Sequence, residues 1–227
     1  MGRPRLIVFG RLPEPGHAKT RLIPGLTAAG SAELYEAFLE DAMGLAPRGV
    51  ETQLWVPDRP RAVERLGARY PGASVRLQPE GSLGDRLEMA FACAFSEGVG
   101  RAVAVGSDHP TLPPDFIDAA FEALRTARLV LGPTRDGGYY AMGLSSPAWP
   151  TAQALFDGAP WSESDLCGWT RARAVALGLR SVELPSWYDV DLPGDLARME
   201  GDLRQGSATA RAWARLRSPS ATGTRGP

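Results

Sequence analysis

The chain has 227 residues, 44% of them hydrophobic and 22% charged, and a net charge of −1. That length suits a single α/β domain, and the near-neutral balance excludes nucleic acid or an anionic membrane as a bulk partner. No apolar run approaches the ~20 residues that span a bilayer, and a strand begins too early for a signal peptide. The two cysteines, Cys93 and Cys167, have no C-x-x-C spacing and read as incidental free thiols. The expectation is a soluble, cytoplasmic protein.

Leu6–Phe9 is an all-apolar run of the kind that forms a central parallel strand. A glycine- and proline-rich loop follows, holding Arg11, Gly16, Lys19 and Arg21. Lys19 is the only lysine in the chain, the other 24 basic residues being arginine. Thr27 is placed to cap a helix over 28–45, with Leu34, Phe38, Leu39 and Ala42 at helical spacing. Glu51–Val56 alternates as a second strand. A helix from Pro57-Asp58 to about Tyr70, a short strand Val75–Leu77 and a helix from about Gly84 to Glu97 come next.

Arg101–Gly106 reads as the next buried strand and stops abruptly at Ser107-Asp108-His109-Pro110. Pro113-Pro114 opens a helix to about Thr126. Leu129–Leu131 and Tyr139–Leu144 are strands, joined by a glycine-containing loop over 132–138. After an irregular stretch, Ser162 or Ser164 is placed to cap a helix to about Leu177, and Arg180–Leu184 is a last strand. An acidic segment, Tyr188–Asp195, leads into a final helix to about Leu203. Gly, Ser, Ala, Thr and Arg dominate from Gln205 on. The expected organisation is therefore one domain over 1–204 and a partly disordered tail over 205–227, disordered from 218. Alternating strands and helices predict a mainly parallel sheet with helices on both faces. In such sheets ligands bind at the carboxyl ends of strands, where the loops 10–22, 78–86, 107–110 and 132–138 would meet.

Five groups of residues could carry chemistry. The cations Arg11, Lys19 and Arg21 match the charge of a polyphosphate on a loop whose small residues allow close approach. The G-x-x-x-x-G-K-[ST] spacing of a Walker loop is absent. Asp108, directly after a strand, is placed for a hard divalent cation. Asp189-Val190-Asp191 offers two more carboxylates, of which extended backbone would turn one toward the crevice. Asp195 belongs in the first turn of the last helix, where the helix dipole favours it. Asp136-Gly137-Gly138-Tyr139 suggests backbone close under a ligand, or a hairpin turn with core tyrosines. Gln78 to Arg86 is a strand-to-helix turn whose glutamine could read a base edge. A metal with cations and open carboxylates is the apparatus of phosphoryl or nucleotidyl chemistry.

These motifs in this order, PxPGxxKTRL, QxxGxLGxR, GSDxP, GPxxDGGYY and DxDxPxDL, resemble the rSAM/selenodomain-associated transferase 1 family. That family belongs to the nucleotide-diphospho-sugar transferase superfamily, whose domain is called GT-A. The likeness runs from residue 5 to about 203. A looser similarity reaches 2-phospho-lactate guanylyltransferases and molybdenum-cofactor nucleotidyltransferases. The resemblance implies a Rossmann-like three-layer α/β/α sandwich that binds a nucleotide with Mg²⁺ or Mn²⁺. It implies that Lys19 and Arg21 contact phosphates, with Arg11 and Gly16 on the same loop, and that Gln78 and Gly84 lie by the base. Asp108 and Asp191 would hold the metal, and Gly137-Gly138 would line the acceptor side. Arg11 stands where the family usually has Lys.

The leading expectation is a metal-dependent nucleotidyltransferase, using a nucleoside triphosphate and a small phosphate, phosphonate or hydroxyl acceptor. Lys19, Arg21 and Asp108 would be its catalytic residues. A glycosyltransferase using a nucleotide-sugar, with Trp149, Trp161 and Trp169 near the sugar, is the alternative. A non-catalytic nucleotide-binding module is the third. The base, the acceptor and the oligomeric state are left open.

Overall fold

A computed structural model describes residues 2–59, 61–161 and 165–218. The expected cap at Ser162 or Ser164, and the disorder expected beyond 218, lie outside the described residues. The seven strands are β1 (Pro4–Phe9), β2 (Glu51–Val56), β3 (Ser74–Leu77), β4 (Arg101–Gly106), β5 (Leu129–Pro133), β6 (Tyr139–Ser145) and β7 (Ser181–Glu183). They form one sheet in the order β3-β2-β1-β4-β6-β5-β7. β6 alone runs against its neighbours, pairing antiparallel with β4 and β5. The rest of the ladder is parallel. This is the expected Rossmann-like α/β sandwich.

The helices are α1 (Ala28–Met43), α2 (Ala62–Arg69), α3 (Leu83–Ser96), α4 (Pro114–Ala123), the single turn α5 (Trp149–Ala152), α6 (Leu166–Ala176), α7 (Asp195–Asp202) and α8 (Ala208–Arg217). Among the described residues none is long and apolar enough to cross a membrane. Alternation along the strands sorts the core into two layers. Leu6, Val8, Val103 and Val105 face α1, α2 and α4 through Leu39, Leu66 and Ile117. Ile7, Ala102 and Ala104 face α3 and α6 through Phe91 and Ala174. A third cluster joins the outer side of α1 (Leu34, Tyr35, Phe38) to Val190, Met199 and Ala212.

Local signals set the boundaries. Thr27 caps α1, its side chain accepting from the Gly30 amide at 3.0 Å. Ser82 and Asp85 form a capping box that starts α3. The helix expected to begin at Pro57-Asp58 begins instead at Ala62. Gly137 (φ 91°) turns the chain between β5 and β6, which explains the reversed strand.

Within the segment expected as tail, residues 208–217 form α8 against α1. Ser207 caps this helix by accepting from Ala210 N at 3.0 Å. The carboxylate of Asp41, on α1, accepts from Ala208 N at 2.9 Å and Thr209 N at 2.8 Å. Two otherwise unpaired amides of a helix N-terminus are thus satisfied by a single, nearly buried carboxylate. Asp41→Ala is expected to cost about 1–2 kcal/mol, in line with lost helix caps. Urea unfolding measures it; a stability unchanged from that of the natural chain would show that α8 is only loosely docked.

Candidate active site

The loop after β1 is built to stay folded. Gly10 N donates to Trp55 O at 3.0 Å, which ties the loop's first residue to β2. His17 N and Ala18 N both donate to Glu14 O, at 3.0 and 3.1 Å. Gly16 (φ 77°) makes this turn possible, and the side in which a Cβ would stand is open. Ala18 and Leu22 are buried in the third cluster and anchor the far end. Lys19 between them has φ 48°, a left-handed conformation uncommon in residues with a Cβ. It directs the stem toward the strand ends.

The opposite wall comes from β4 and the segment before α7. Parallel register places Phe9 beside Gly106, so Gly10 and Ser107 leave the sheet side by side. Tyr35 of α1 bridges the two exits. Its hydroxyl accepts from Arg11 N at 3.0 Å and shares a 2.8 Å hydrogen bond with Ser107 Oγ. Burial, and then the nearby Asp108 charge, push the Tyr35 phenol up to about 12, so it stays protonated as a hydrogen-bonding post. Val190 N donates to Asp108 O at 2.9 Å, and His109 Nδ1 lies 3.0 Å from Tyr188 O. Asp195 opens α7 as expected, accepting from the amides of Asp191 and Leu192 at 3.0 and 2.7 Å.

These ties bring three distant residues together. Lys19 Nζ is 2.8 Å from Asp108 Oδ1 and also pairs with Asp191 Oδ1. The Lys19 side chain is only 6% exposed, whereas the two carboxylates are 39% and 37% exposed. Burial works to raise the Asp191 carboxyl, but the Lys19 charge and hydrogen bond outweigh it and hold it below its ordinary value. Asp189 goes the other way. Burial, and then its hydrogen bond with Asp191, push it up to about 6. Asp189 and Asp191 thus meet on one side. Only Asp191 of the two lines the crevice, and residues two apart share one side of extended backbone, so their carboxyls can still touch.

Around this triad is a cavity of about 260 Å³ lined by Arg11, His17, Thr20, Arg21 and Tyr35 with Lys19, Asp108 and Asp191. The donor set suits a hard divalent cation. Two carboxylate oxygens face one point, and Mg²⁺ is commonly held by one or two carboxylates with waters and substrate phosphates. Among the described residues no group of three or more His, Cys, Asp or Glu forms a ready-made metal cage. An ion here would be shared with a substrate.

Gln78 and Gly84 do not line this cavity. The Gln78 amide nitrogen donates to Trp55 O at 2.9 Å and its oxygen accepts from Arg86 Nη1 at 3.1 Å, so its hydrogen bonds turn inward. The missing side chain of Gly84 is replaced by the Trp161 ring, which a Cβ would meet at 2.3 Å. Residues 134–138 form the hairpin turn. Asp136 Oδ1 accepts from Thr134 Oγ1 and, at 3.3 Å, from Gly138 N. Tyr139 packs with the second core layer and edge-on to Trp161, leaving Asp136, Gly137 and Gly138 at the turn itself. Sequence reasoning did not single out Tyr35, His17 or Thr20. Tyr35 had a signal: it shares a helical face with Phe38, Leu39 and Ala42 yet carries a hydroxyl.

Fold and relatives together make this chain a transferase. A solved protein from Desulfovibrio desulfuricans G20, assigned as a nucleotide-diphospho-sugar transferase, shares 29% identity and a TM-score of 0.87, with 95% of each chain covered. The chain belongs to the family described as "Uncharacterized protein conserved in bacteria (DUF2064)", which residues 43–163 match. It is 27% identical over 196 residues to a phosphoenolpyruvate guanylyltransferase of Sphaerobacter thermophilus, covering 85% of this chain and 91% of that protein. It is 36% identical over 130 residues to a 3-phospho-D-glycerate guanylyltransferase of Phenylobacterium zucineum, covering 53% of this chain and 58% of that one.

His109 is half-buried, and desolvation pushes its imidazole below the ordinary 6.5. The unfolded chain therefore takes up this proton at higher pH than the folded one. Stability from this group is complete above about pH 6.5 and falls as pH drops below it, by at most ~1.4 kcal/mol per pH unit. Urea unfolding from pH 7.5 to 5 is expected to show a smaller acid loss for His109→Gln than for the natural chain. Parallel curves would mean that His109 is protonated as easily folded as unfolded.

Proposed function

We propose that the chain moves a nucleoside monophosphate from a nucleoside triphosphate to a small phosphorylated acceptor and releases pyrophosphate. The observation that carries this is the crevice itself: Arg11, Lys19 and Arg21 against Asp108 and Asp191, at the carboxyl ends of β1 and β4. The two guanylyltransferase relatives make GTP the first donor to test, and small phosphorylated carboxylic acids the first acceptors. The order of the motifs supports a place in the rSAM/selenodomain-associated transferase 1 branch.

In this reading the β- and γ-phosphates lie along Arg11, Lys19 and Arg21, where cations offset their charge. Asp108 and Asp191 would hold Mg²⁺ or Mn²⁺, with Asp189 behind Asp191. The ion would neutralise phosphate oxygens. An acceptor phosphate oxygen attacks the α-phosphorus, the bond to the β-phosphate oxygen breaks, and pyrophosphate takes the electron pair. No protein nucleophile is required, so positioning and charge carry the catalysis. The turn 134–138 would bound the acceptor side.

Transfer from a nucleotide-sugar is the second reading, kept for the Desulfovibrio likeness. Its aromatic support is weaker than the sequence suggested. Trp161 stacks on Phe156 and Trp149 packs on Phe91 and Phe95, so both rings are engaged with the core.

Purified chain with GTP, Mg²⁺ and a panel containing phosphoenolpyruvate and 3-phosphoglycerate is expected to release pyrophosphate. ³¹P NMR should show a new diphosphate linkage. Lys19→Ala and Asp108→Ala should each lower turnover ~10²–10³-fold, the usual effect of removing a charge-stabilising group. Pyrophosphate from no triphosphate with any acceptor, or near-normal rates in either variant, would sink the proposal.

A further inference from the structure

A divalent cation and the Lys19 ammonium compete for the same oxygens of two carboxylates. Nζ already pairs with Oδ1 of both Asp108 and Asp191. An ion bound by these oxygens at the ~2.0–2.1 Å of Mg²⁺ would take the place that the ammonium fills. Bringing a +2 ion beside an ammonium in a half-desolvated crevice is also repulsive. We infer that Lys19 is a resident counter-ion: it keeps Asp108 and Asp191 closed to divalent cations until a polyphosphate draws it away. This rests on reading the crevice as a nucleotide site.

Three features make the exchange feasible. The carboxylates are about two-fifths exposed while the lysine is almost covered, so the oxygens have an open side and the ammonium a closed one. The alternative partner is near, because Arg11, Thr20 and Arg21 line the same cavity and mark where phosphate oxygens would collect. A lysine is also suited to the motion. Its charge is a compact point on a flexible four-carbon stem, whereas an arginine fork would grip a carboxylate through two parallel bonds. In a chain with 24 arginines, the one lysine stands at the one place where the cation must let go.

Removing the ammonium leaves Asp108, Asp189 and Asp191 together without it. A chain lacking Lys19 should therefore welcome a divalent ion that the natural chain resists. Nucleotide should reach the natural enzyme before, or together with, its ion.

The single lysine makes the test direct. In chain labelled with ¹⁵N-lysine, one side-chain Nζ signal reports Lys19. The expected result is that MgCl₂ alone leaves this signal in place, whereas GTP without metal shifts it. Mn²⁺ binding, read from the free-ion EPR signal without nucleotide, should tighten at least ~10-fold in Lys19→Met, the change expected when a competing ion pair is removed. Lys19→Gln serves where Lys19→Met does not fold, which circular dichroism checks, and the NMR measurement needs no variant. Equal or weaker Mn²⁺ binding in the folded variant overturns the inference, as does MgCl₂ alone moving Nζ as far as GTP does. GTP that binds by calorimetry without moving Nζ also overturns it, while leaving the nucleotide reading intact. If GTP does not bind but the variant still gains Mn²⁺, the nucleotide reading falls and the counter-ion role stands.

Discussion

A nearly buried ammonium shared by two carboxylates is the constraint on which the rest of this site depends. A charge taken from water is costly unless it is paired. Asp108 and Asp191 offset that cost. The three residues come from the first, the middle and the last parts of the chain. Their contact therefore requires the whole sheet to be assembled and the segment before α7 to be laid over its edge. Val190 N on Asp108 O and Asp195 on the 191–192 amides are the hydrogen bonds that hold that segment there.

Much of this was readable from residue order alone. The apolar runs at 6–9 and 101–106 mark adjacent central strands, and a parallel sheet sends the loops after them to one edge. Lys19 and Asp108 follow those runs, so their meeting is a consequence of topology. Cap chemistry was equally local, as Thr27 shows. The reversed β6 was less visible, because an apolar strand buried on both faces carries no sign of its direction. Only the glycine turn at 134–138 hints at it.

Other features depend on contacts that no local pattern encodes. Gln78 looked free to read a base because its turn is polar, yet two chain carbonyls and Arg86 stand close enough to use its amide. The space beside Gly84 is filled by Trp161, 77 positions later in the sequence. α8 was hidden by a composition that resembles a linker. Its stability comes from Asp41 on α1 and from a shallow apolar stripe through Ala208 and Ala212.

The loop 10–22 is tied down along its length. A left-handed lysine, a left-handed glycine and two buried apolar anchors fix the path of the backbone, leaving the side chains of Arg11, Lys19 and Arg21 as the moving parts. Fixed backbone with adjustable cations keeps the distance between the two walls constant while their charge pairing changes. Tyr35 serves the same end from below, spanning both strand exits with one protonated hydroxyl. A crevice of this kind changes its electrostatic state without changing its shape. Exchange of one cation's partners, from carboxylate to phosphate, then needs no domain motion.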